Sequence, residues 1–251
     1  MLRREGIFPS VSSHPDVVAI FRDRSAEIQS RITSACQRVN RDPSEVRLIW
    51  VSKNHPQERL IDAYVAGARL FGENRVQEVL EKFPLPPEQA PEYGLHLIGH
   101  LQRNKVRKVL PLCTAIHSIN SVELWEAVDR IAGELQLRPD VFLQVNTSQE
   151  TQKSGFEPAG FLDAVAALPE ALHLNLMGLM TMGPVEGGAE AARCCFRQLR
   201  ELLEGLRGHA ELSARFPNTR FLSMGMSGDF EVAVEEGAHF VRIGTSLFGS
   251  R

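Results

Sequence analysis

The sequence is poor in cysteine and contains no long apolar run. Its four cysteines among 251 residues include no C-x-x-C pair, and two of them, Cys194 and Cys195, are adjacent on a predicted helix. This pattern predicts neither a disulfide framework nor a metal site, and it favours a reducing compartment such as the cytoplasm. No segment is apolar enough to span a membrane, and the first residues lack the apolar stretch of a signal peptide.

The sequence also lacks an excess of charge of either sign. It has 28 basic and 31 acidic residues, which give a formal net charge of −3. Such a balance gives no general reason to expect a nucleic acid or an acidic membrane as partner. One basic cluster, formed by Arg103, Lys105, Arg107 and Lys108, is compatible with anion or nucleic-acid binding, but a solvated helix face is the simpler interpretation.

What the sequence does have is a repeated alternation of short apolar strands and helices. An amphipathic helix over residues 16–40 comes first. Eight strands follow, and they end at or near residues 53, 74, 100, 120, 146, 180, 224 and 244. Helices are predicted between them over residues 56–66, 76–83, 103–110, 122–135, 158–167, 189–206 and 229–236. Gly67 marks the expected end of the first of these helices.

Eight strands joined by helical crossovers predict a closed, parallel (β/α)8 barrel of the TIM type. An open doubly wound sheet is the alternative, but no G-x-G-x-x-G motif opens the first unit. No shift of composition marks a domain boundary, so residues 16–251 are expected to form one domain after a flexible N-terminal extension, residues 1–15. The proline-rich segment 84–91 is interpreted as a surface loop.

Lys53 stands at the end of the first predicted strand. The apolar part of that strand, residues 46–51, follows the turn Asp42-Pro43-Ser44. Side chains alternate along a strand, so Lys53 shares one face with the aliphatic Ile49 and Val51. A lysine amine held against an apolar surface suits Schiff-base chemistry. Strand-end lysines also commonly extend into solvent, so this residue alone leaves both interpretations open.

Polar side chains follow the other predicted strands at the same end of the barrel, which is where barrels place their active sites. They include Glu73, Asn74, His100, Asn120, Asn146, Thr147, Thr181, Ser227 and Thr245. Each of them has a simple explanation by itself. Asn74 and Asn120 could cap the following helices, and His100 could be a hydrogen-bonded buried histidine. Their convergence with Lys53 nevertheless favours a binding site.

Two glycine-containing loops follow the seventh and eighth strands. Residues 223–229 lead into a helix, and residues 242–246 close the last strand. Small residues and free backbone N–H groups in such loops favour phosphate binding. Arg242, if it faces the interior, needs an anionic or hydrogen-bonding partner, and a neighbouring carboxylate would serve as well as a ligand. Combined with Lys53, a phosphate site suggests a phosphorylated aldehyde, of which pyridoxal phosphate is the commonest.

Longer motifs carry a specific resemblance. They are Val51-Ser-Lys53, Phe71-Gly-Glu-Asn74, Val76-Gln-Glu78, Ile98-Gly-His-Leu-Gln-Arg-Asn-Lys105, Lys153-Ser-Gly155, Gly178-Leu-Met-Thr-Met182, Leu222-Ser-Met-Gly-Met-Ser-Gly-Asp229 and Val241-Arg-Ile-Gly-Thr245. In these segments the sequence resembles the pyridoxal phosphate homeostasis protein family, and the likeness extends over residues 16–249. The sequence departs from the family pattern at Asn54-His55, Arg75 and Leu95, which are expected in the wall of the cavity.

The resemblance implies an alanine-racemase-like barrel of fold type III that binds pyridoxal phosphate. It implies that Lys53 holds the cofactor as a Schiff base and that Arg242 lies near the pyridine nitrogen. The implied phosphate-binding residues are Ser227, Gly228, Gly244 and Thr245. We expect Asn74, His100, Ser223 and Met224 to complete the cofactor site. Lys153 is interpreted either as a secondary, reversible cofactor site or as a surface lysine.

The family resemblance implies a carrier or regulator of cofactor supply, without an established reaction. Pyridoxal-phosphate-dependent apoenzymes are the expected partners, and a monomer is expected. The alternative is a racemase-like enzyme, and a third possibility is a structural barrel that has lost its ligand. Related racemases take a second base, a tyrosine, from an additional domain, whereas this chain ends at Arg251 and its tyrosines, Tyr64 and Tyr93, lie outside the predicted strand ends. The sequence therefore predicts a protein that is not an enzyme.

Overall fold

The structure, a computed structural model, describes residues 13–83, 93–148, 150 and 154–249. Eight parallel strands hydrogen-bond in sequence order, and β1 pairs with β8 to close the barrel. The strands are β1 Arg47–Val51, β2 Leu70–Glu73, β3 Gly94–Leu97, β4 Ala115–Ile119, β5 Asp140–Gln144, β6 Asn175–Met180, β7 Phe221–Ser223 and β8 Phe240–Ile243. The predicted (β/α)8 barrel is thereby confirmed, and the open sheet is excluded.

Ten helices surround the strands in the part of the chain that the structure describes. They are α1 Pro15–Arg38, α2 Gln57–Ala66, α3 Val76–Lys82, α4 Val106–Val109, α5 Val122–Leu135, α6 Phe161–Ala166, α7 Gly188–Gly208, α8 Ala210–Arg215, α9 Phe230–Glu235 and α10 Thr245–Phe248. The predicted α2 stop is correct, because Gly67 adopts a left-handed φ of 117° that glycine tolerates best.

Some elements differ from the sequence-based expectation. The helix predicted over 103–110 is reduced to α4, one turn between the 3-10 turns Arg103–Lys105 and Leu110–Leu112. Pro111 lies in the second of these turns and offers no N–H group with which to continue an α-helix. Helices α8 and α10 were not predicted. α6 begins at Phe161 rather than near residue 158, because Gly160 turns the chain with a φ of +71°.

Two predicted segments, the N-terminal extension and the proline-rich loop, lie partly or wholly outside the described residues. Helix α1 begins at Pro15, and the preceding His14 donates its backbone N–H to Asp62 Oδ1 on α2 at 2.7 Å. Residues 1–12, most of the expected extension, lie outside the described residues, as does the whole predicted surface loop, residues 84–91. The described helices include none with both the length and the apolar character needed to cross a membrane.

The apolar core has two layers. The larger layer fills the space between the strands and the helices and includes Phe21, Trp125 and Phe196. A smaller cluster lies inside the barrel and is formed by Ile49, Val51, Phe142, Met180 and Phe240. Burial of each such side chain contributes about 1.5–3 kcal/mol. The inner cluster fills the barrel axis with side chains, so the barrel is a packed core rather than a pore.

Candidate cofactor site

A cavity of about 440 Å³ lies at the mouth of the barrel, where loops follow the carboxyl ends of the strands. Its volume is within the range of small-molecule sites. Eight of the ten residues predicted for the cofactor site line this cavity: Lys53, Asn74, His100, Ser227, Gly228, Arg242, Gly244 and Thr245. They come from five different strand-to-helix connections or strand ends, and barrel closure brings them together.

Lys53 lies in a turn just after β1 rather than on the strand itself. The strand ends at Val51, and the N–H of His55 donates to the carbonyl oxygen of Ser52 at 3.1 Å to close the turn. Asn54 occupies the left-handed region with a φ of 61°. Lys53 is half-buried and lines the cavity beside Val51. Within the described residues its amine makes no hydrogen bond or ion pair, so it is available to a ligand.

The loops after β7 and β8 form the adjoining wall, because β8 pairs with β1 in the closed barrel. The N–H of Ser246 donates to Ser227 Oγ at 3.4 Å, which joins the two loops. A Cβ added to Gly228 would meet no atom within 4 Å, so the backbone of this residue borders open space. No described atom accepts a hydrogen bond from the N–H groups of Ser227 or Gly228. These donors and the Thr245 hydroxyl suit an anionic group such as a phosphate.

Arg242 carries positive charge from β8 into the floor of the cavity. Its register partner on β1 is Ile49, a member of the inner cluster, and its side chain is buried. Nη1 donates to Ser223 Oγ at 2.9 Å and Nη2 donates to the carbonyl oxygen of Thr181 at 2.8 Å. Burial lowers the pKa of Arg242 to about 10, an effect that Asp229 partly opposes. The guanidinium therefore remains charged at neutral pH, and its hydrogen bonds end on uncharged oxygens.

A chain of buried polar side chains continues from Arg242 into the barrel. Ser223 Oγ lies 2.7 Å from His117 Nδ1, and His117 Nε2 lies 2.8 Å from His96 Nδ1. Burial lowers the pKa of His96 to about 3 and holds the pKa of His117 well below its usual range. Both imidazoles are therefore neutral at physiological pH. His117 also stacks on Phe142 of the inner cluster, with ring centroids 4.2 Å apart.

Two predicted site residues do not line the cavity. Ser223 is fully buried below Arg242 and contacts its guanidinium, so its place is one step removed from a ligand. Met224 follows it on the opposite face of the strand and packs in the outer core layer. Strand alternation explains the difference, because successive side chains point to opposite sides of the sheet. We therefore expect no direct contact between the Met224 side chain and a cofactor.

Other polar residues expected at the barrel mouth are used for packing. Strand β5 ends at Gln144, two residues earlier than predicted, which places Thr147 in a buried loop position. The hydroxyl oxygens of Thr147 and Thr181 lie 2.9 Å apart, and Thr181 Oγ1 also donates to the carbonyl oxygen of Val145 at 2.8 Å. These hydroxyls are satisfied within the protein and do not line the cavity.

Of the positions expected in the cavity wall, His55 lines it, whereas Asn54, Arg75 and Leu95 do not. Several other lining residues were not predicted from the sequence: Ile98, Gly99, Gln144, Met182 and Met226. Gln144 had a usable signal, because it follows the inward-facing Phe142 by two positions on β5. Gly99 had none, since its role depends on a close approach between two loops. A Cβ on Gly99 would overlap the backbone oxygen of Asn74.

The loop after β5 closes one side of the cavity. Gln144 Nε2 donates to the carbonyl oxygen of Ser154 at 2.6 Å, and both residues line the cavity. Lys153 precedes Ser154 but lies outside the described residues. A secondary cofactor site at Lys153 therefore stays a prediction.

A family model described as "Alanine racemase, N-terminal domain" matches residues 25–251. A "Pyridoxal phosphate homeostasis protein" of Aquifex aeolicus (strain VF5) is 38% identical over 229 residues, which cover 91% of this chain and 97% of the relative. The chain belongs to the pyridoxal phosphate homeostasis protein family. The resemblance seen in the motifs is thereby confirmed. This relative and others from Vibrio cholerae and Schizosaccharomyces pombe are named as homeostasis proteins, not as enzymes.

Solved structures of similar proteins share the barrel of this family member. PipY of Synechococcus elongatus PCC7942, described with PLP bound, aligns with a TM-score of 0.75 and 38% identity, covering 91% of this chain and 100% of PipY. An alanine racemase of Clostridium difficile 630 aligns with a TM-score of 0.65 at 12% identity. The alignment covers 93% of this chain and 56% of the racemase, and at that identity it shows a common fold alone.

Proposed function

We propose that this protein binds pyridoxal phosphate on Lys53 and acts as a carrier or regulator of its intracellular supply. One observation carries the proposal: an available lysine amine and two phosphate-compatible loops line a single 440 Å³ cavity. The cavity also has a buried cation, Arg242, in its floor. These features fit a small phosphorylated aldehyde. The PLP-bound structure of PipY, which is 38% identical, supports the choice of cofactor.

Each group of residues has a distinct part in holding the cofactor. Pyridoxal phosphate, when bound, supplies an aldehyde that condenses with a lysine amine and a ring that withdraws electrons. Lys53 provides that amine from the turn after β1. Ser227, Gly228, Gly244 and Thr245 provide hydroxyl and backbone donors for the phosphate. Asn74 and His100 line the wall on the side of β2 and β3.

Arg242 bears on whether the site is built for catalysis. If the pyridine nitrogen of the cofactor lay beside this guanidinium, as the family resemblance implies, the positive charge would disfavour a proton on that nitrogen. Two nitrogens of the guanidinium donate hydrogen bonds to Ser223 Oγ and to the carbonyl oxygen of Thr181. These bonds hold the guanidinium in one position. An arginine held in this way weakens the electron-withdrawing power of the ring, which favours storage of the cofactor over carbanion chemistry.

The position of the two tyrosines also supports a carrier. Tyr93 is buried against Phe71 and Phe83 in the outer core, and burial raises its pKa to about 12. Tyr64 lies on α2 under the guanidinium of Arg69. Neither tyrosine lines the described cavity. One observation favours the racemase alternative: His55 and His100 line the cavity, and an imidazole can act as an acid or base.

The decisive experiment is an absorption spectrum of purified protein with pyridoxal phosphate, recorded before and after borohydride reduction. Peptide mapping then identifies the modified lysine. We expect a visible band that reduction removes and a single adduct on Lys53. An adduct on another lysine, or no saturable band, would contradict the proposal. Delivery to apoenzymes is tested by adding the loaded protein to an apoenzyme together with a trap for free cofactor. Light scattering measures the molar mass in solution and so tests the expected monomer.

A further inference from the structure

A buried charged group lies behind Lys53, on the side away from the cavity. It consists of Ser52, Glu73, Glu78 and Lys82, and is called here the Lys82 cluster. Lys82 Nζ lies 2.9 Å from Glu73 Oε1, 2.6 Å from Glu78 Oε2 and 3.0 Å from the carbonyl oxygen of Ser52. The side chain of Glu73 is 0% exposed, and those of Lys82 and Glu78 are 8% and 13% exposed.

Stability alone is a weak explanation for such a cluster. Removing an ion pair from water costs several kcal/mol per ion, and well-packed apolar residues often replace buried pairs without loss of stability. The cluster is also incompletely satisfied, since Glu73 Oε2 has no hydrogen-bond partner among the described residues. Burial raises the pKa of Glu73 despite the opposing effect of Lys82. Because burial of these charges costs free energy, we expect the cluster to have a role other than stabilising the fold.

The cluster forms hydrogen bonds with both sequence neighbours of Lys53, Ser52 and Asn54. Before it, Ser52 is held twice: its hydroxyl donates to Glu73 Oε1 at 2.7 Å, and its carbonyl oxygen accepts from Lys82. After it, the N–H of Asn54 donates to Glu78 Oε2 at 2.6 Å. Both residues that flank Lys53 are therefore fixed by one charged group anchored on β2 and α3.

The conformation of Asn54 shows why the turn needs such support. Its φ of 61° lies in the left-handed region, which asparagine tolerates better than most residues but at a higher cost than glycine. The charge-assisted hydrogen bond from Asn54 to Glu78 is of the strong kind and offsets that cost. Without it, the contacts of Ser52 alone would hold the turn, and the position of the Lys53 amine would be less well defined.

We propose that the Lys82 cluster is a positioning device that holds the backbone around Lys53 and so directs its amine into the cavity. The inference rests on the proposed function only for the identity of the ligand, because the contacts themselves involve protein atoms alone. Glu73, Glu78 and Lys82 then act through Lys53 and touch neither the cofactor nor the phosphate loops.

The test compares Glu78→Ala with Glu81→Ala. Both substitutions remove a carboxylate from α3, but Glu81 is exposed and Glu78 holds Asn54. Hydrogen exchange of the peptide containing Asn54 is measured in cofactor-free protein, with a β5 peptide as reference. Dissociation of pyridoxal phosphate is measured from the decay of the visible band. We expect Glu78→Ala to speed both processes about tenfold or more, as loss of one charge-assisted hydrogen bond implies, and Glu81→Ala to change neither.

The outcomes separate this inference from the proposed function. Unchanged exchange at Asn54, or faster exchange with unchanged cofactor release, would overturn the positioning role. If wild-type protein captured no cofactor on Lys53, the proposed function would fail. Faster hydrogen exchange at Asn54 in Glu78→Ala than in Glu81→Ala would still show that the Lys82 cluster holds the turn. Should Glu78→Ala not fold, Ser52→Ala replaces it, because it removes only the hydroxyl contact to Glu73. The same two measurements then decide the matter.

Discussion

Arg242 Nη1 donates a hydrogen bond to Ser223 Oγ over 2.9 Å, inside the barrel and below the cavity. The same hydroxyl oxygen lies 2.7 Å from His117 Nδ1. Ser223→Ala would leave both buried nitrogens without this partner. We expect the free energy of unfolding to fall by about 1–3 kcal/mol, the usual cost of unsatisfied buried polar groups.

Chemical denaturation of the cofactor-free protein measures this effect, with Ser213→Ala as the control. Ser213 is on α8, and its hydroxyl donates to the carbonyl oxygen of Ala210 at an exposed site. The control should change stability by less than about 0.5 kcal/mol. Equal stability of the two variants would show that the Ser223 hydroxyl is not needed to hold Arg242.

Lys53→Ala should abolish the visible band of the lysine-bound cofactor and the adduct trapped by borohydride. The phosphate loops remain intact in this variant, so weak, reversible binding should persist. The amine of Lys108, in the basic cluster after β3, is exposed, and Lys108→Ala should therefore behave as wild type. A saturable adduct trapped on another lysine in Lys53→Ala would contradict the assignment of Lys53.

Thr245→Val should weaken binding of pyridoxal phosphate about tenfold to a hundredfold. The reason is the loss of one charge-assisted hydrogen bond from the hydroxyl, worth about 1.5–3 kcal/mol. Titration with pyridoxal, which has no phosphate, supplies the internal control, because its affinity should be the same in wild type and variant. Thr33→Val, at an exposed site on α1, should change neither affinity. An equal loss for both ligands would place the phosphate elsewhere.

His239 should make stability depend on pH. Burial, aided by Arg41, lowers the pKa of His239 to about 4 in the folded protein, whereas an unfolded histidine titrates near 6.5. A lowered pKa means that its contribution is present above pH 6.5 and is lost as the pH falls towards 4. The slope from this one group is at most about 1.4 kcal/mol per pH unit.

The measurement compares wild type with His239→Gln in denaturation curves between pH 6.5 and 4.5. Glutamine retains an acceptor for the N–H of Leu222, which now donates to His239 Nδ1 at 3.2 Å. Because His96 and His117 titrate alike in both proteins, the difference in slope reports His239. We expect a shallower loss of stability in the variant, and parallel curves would contradict the low pKa of His239.

The loaded protein should not interconvert amino-acid enantiomers at a useful rate. Lys53 is one candidate base, and no tyrosine among the described residues lines the cavity to act as a second. A positioned acid or base contributes about 10²–10⁴-fold, so its loss leaves only feeble exchange. Incubation with alanine or serine in deuterated water, followed by analysis of α-proton exchange and chirality, measures this. Fast inversion that disappears in Lys53→Ala would make the protein an enzyme, with His55 and His100 as the first bases to test.

Much of the fold could be predicted from the sequence because its signals are local. The apolar runs and the intervening amphipathic helices indicated the eight strands, and eight strands with helical crossovers close into a barrel. Gly67 ended α2 as expected, because a left-handed C-cap is a property of one residue. The sequence also sufficed to place Lys53 at the same end of the barrel as the two loops after β7 and β8, since the carboxyl ends of parallel strands meet at one face of a barrel.

Tertiary structure alone decided the contacts that hold those residues in place. Lys82 reaches Ser52 from 30 positions away along the chain, and His117 is 106 positions from Ser223. No local pattern predicts such pairs, because they depend on barrel closure and on the register that sets which side chains point inward. The alternation of side chains along β7 also places Met224 in the outer core and directs Ser223 towards Arg242. The sequence thus determined most of the residues that meet at the barrel mouth, and three-dimensional packing determined which of them line the cavity.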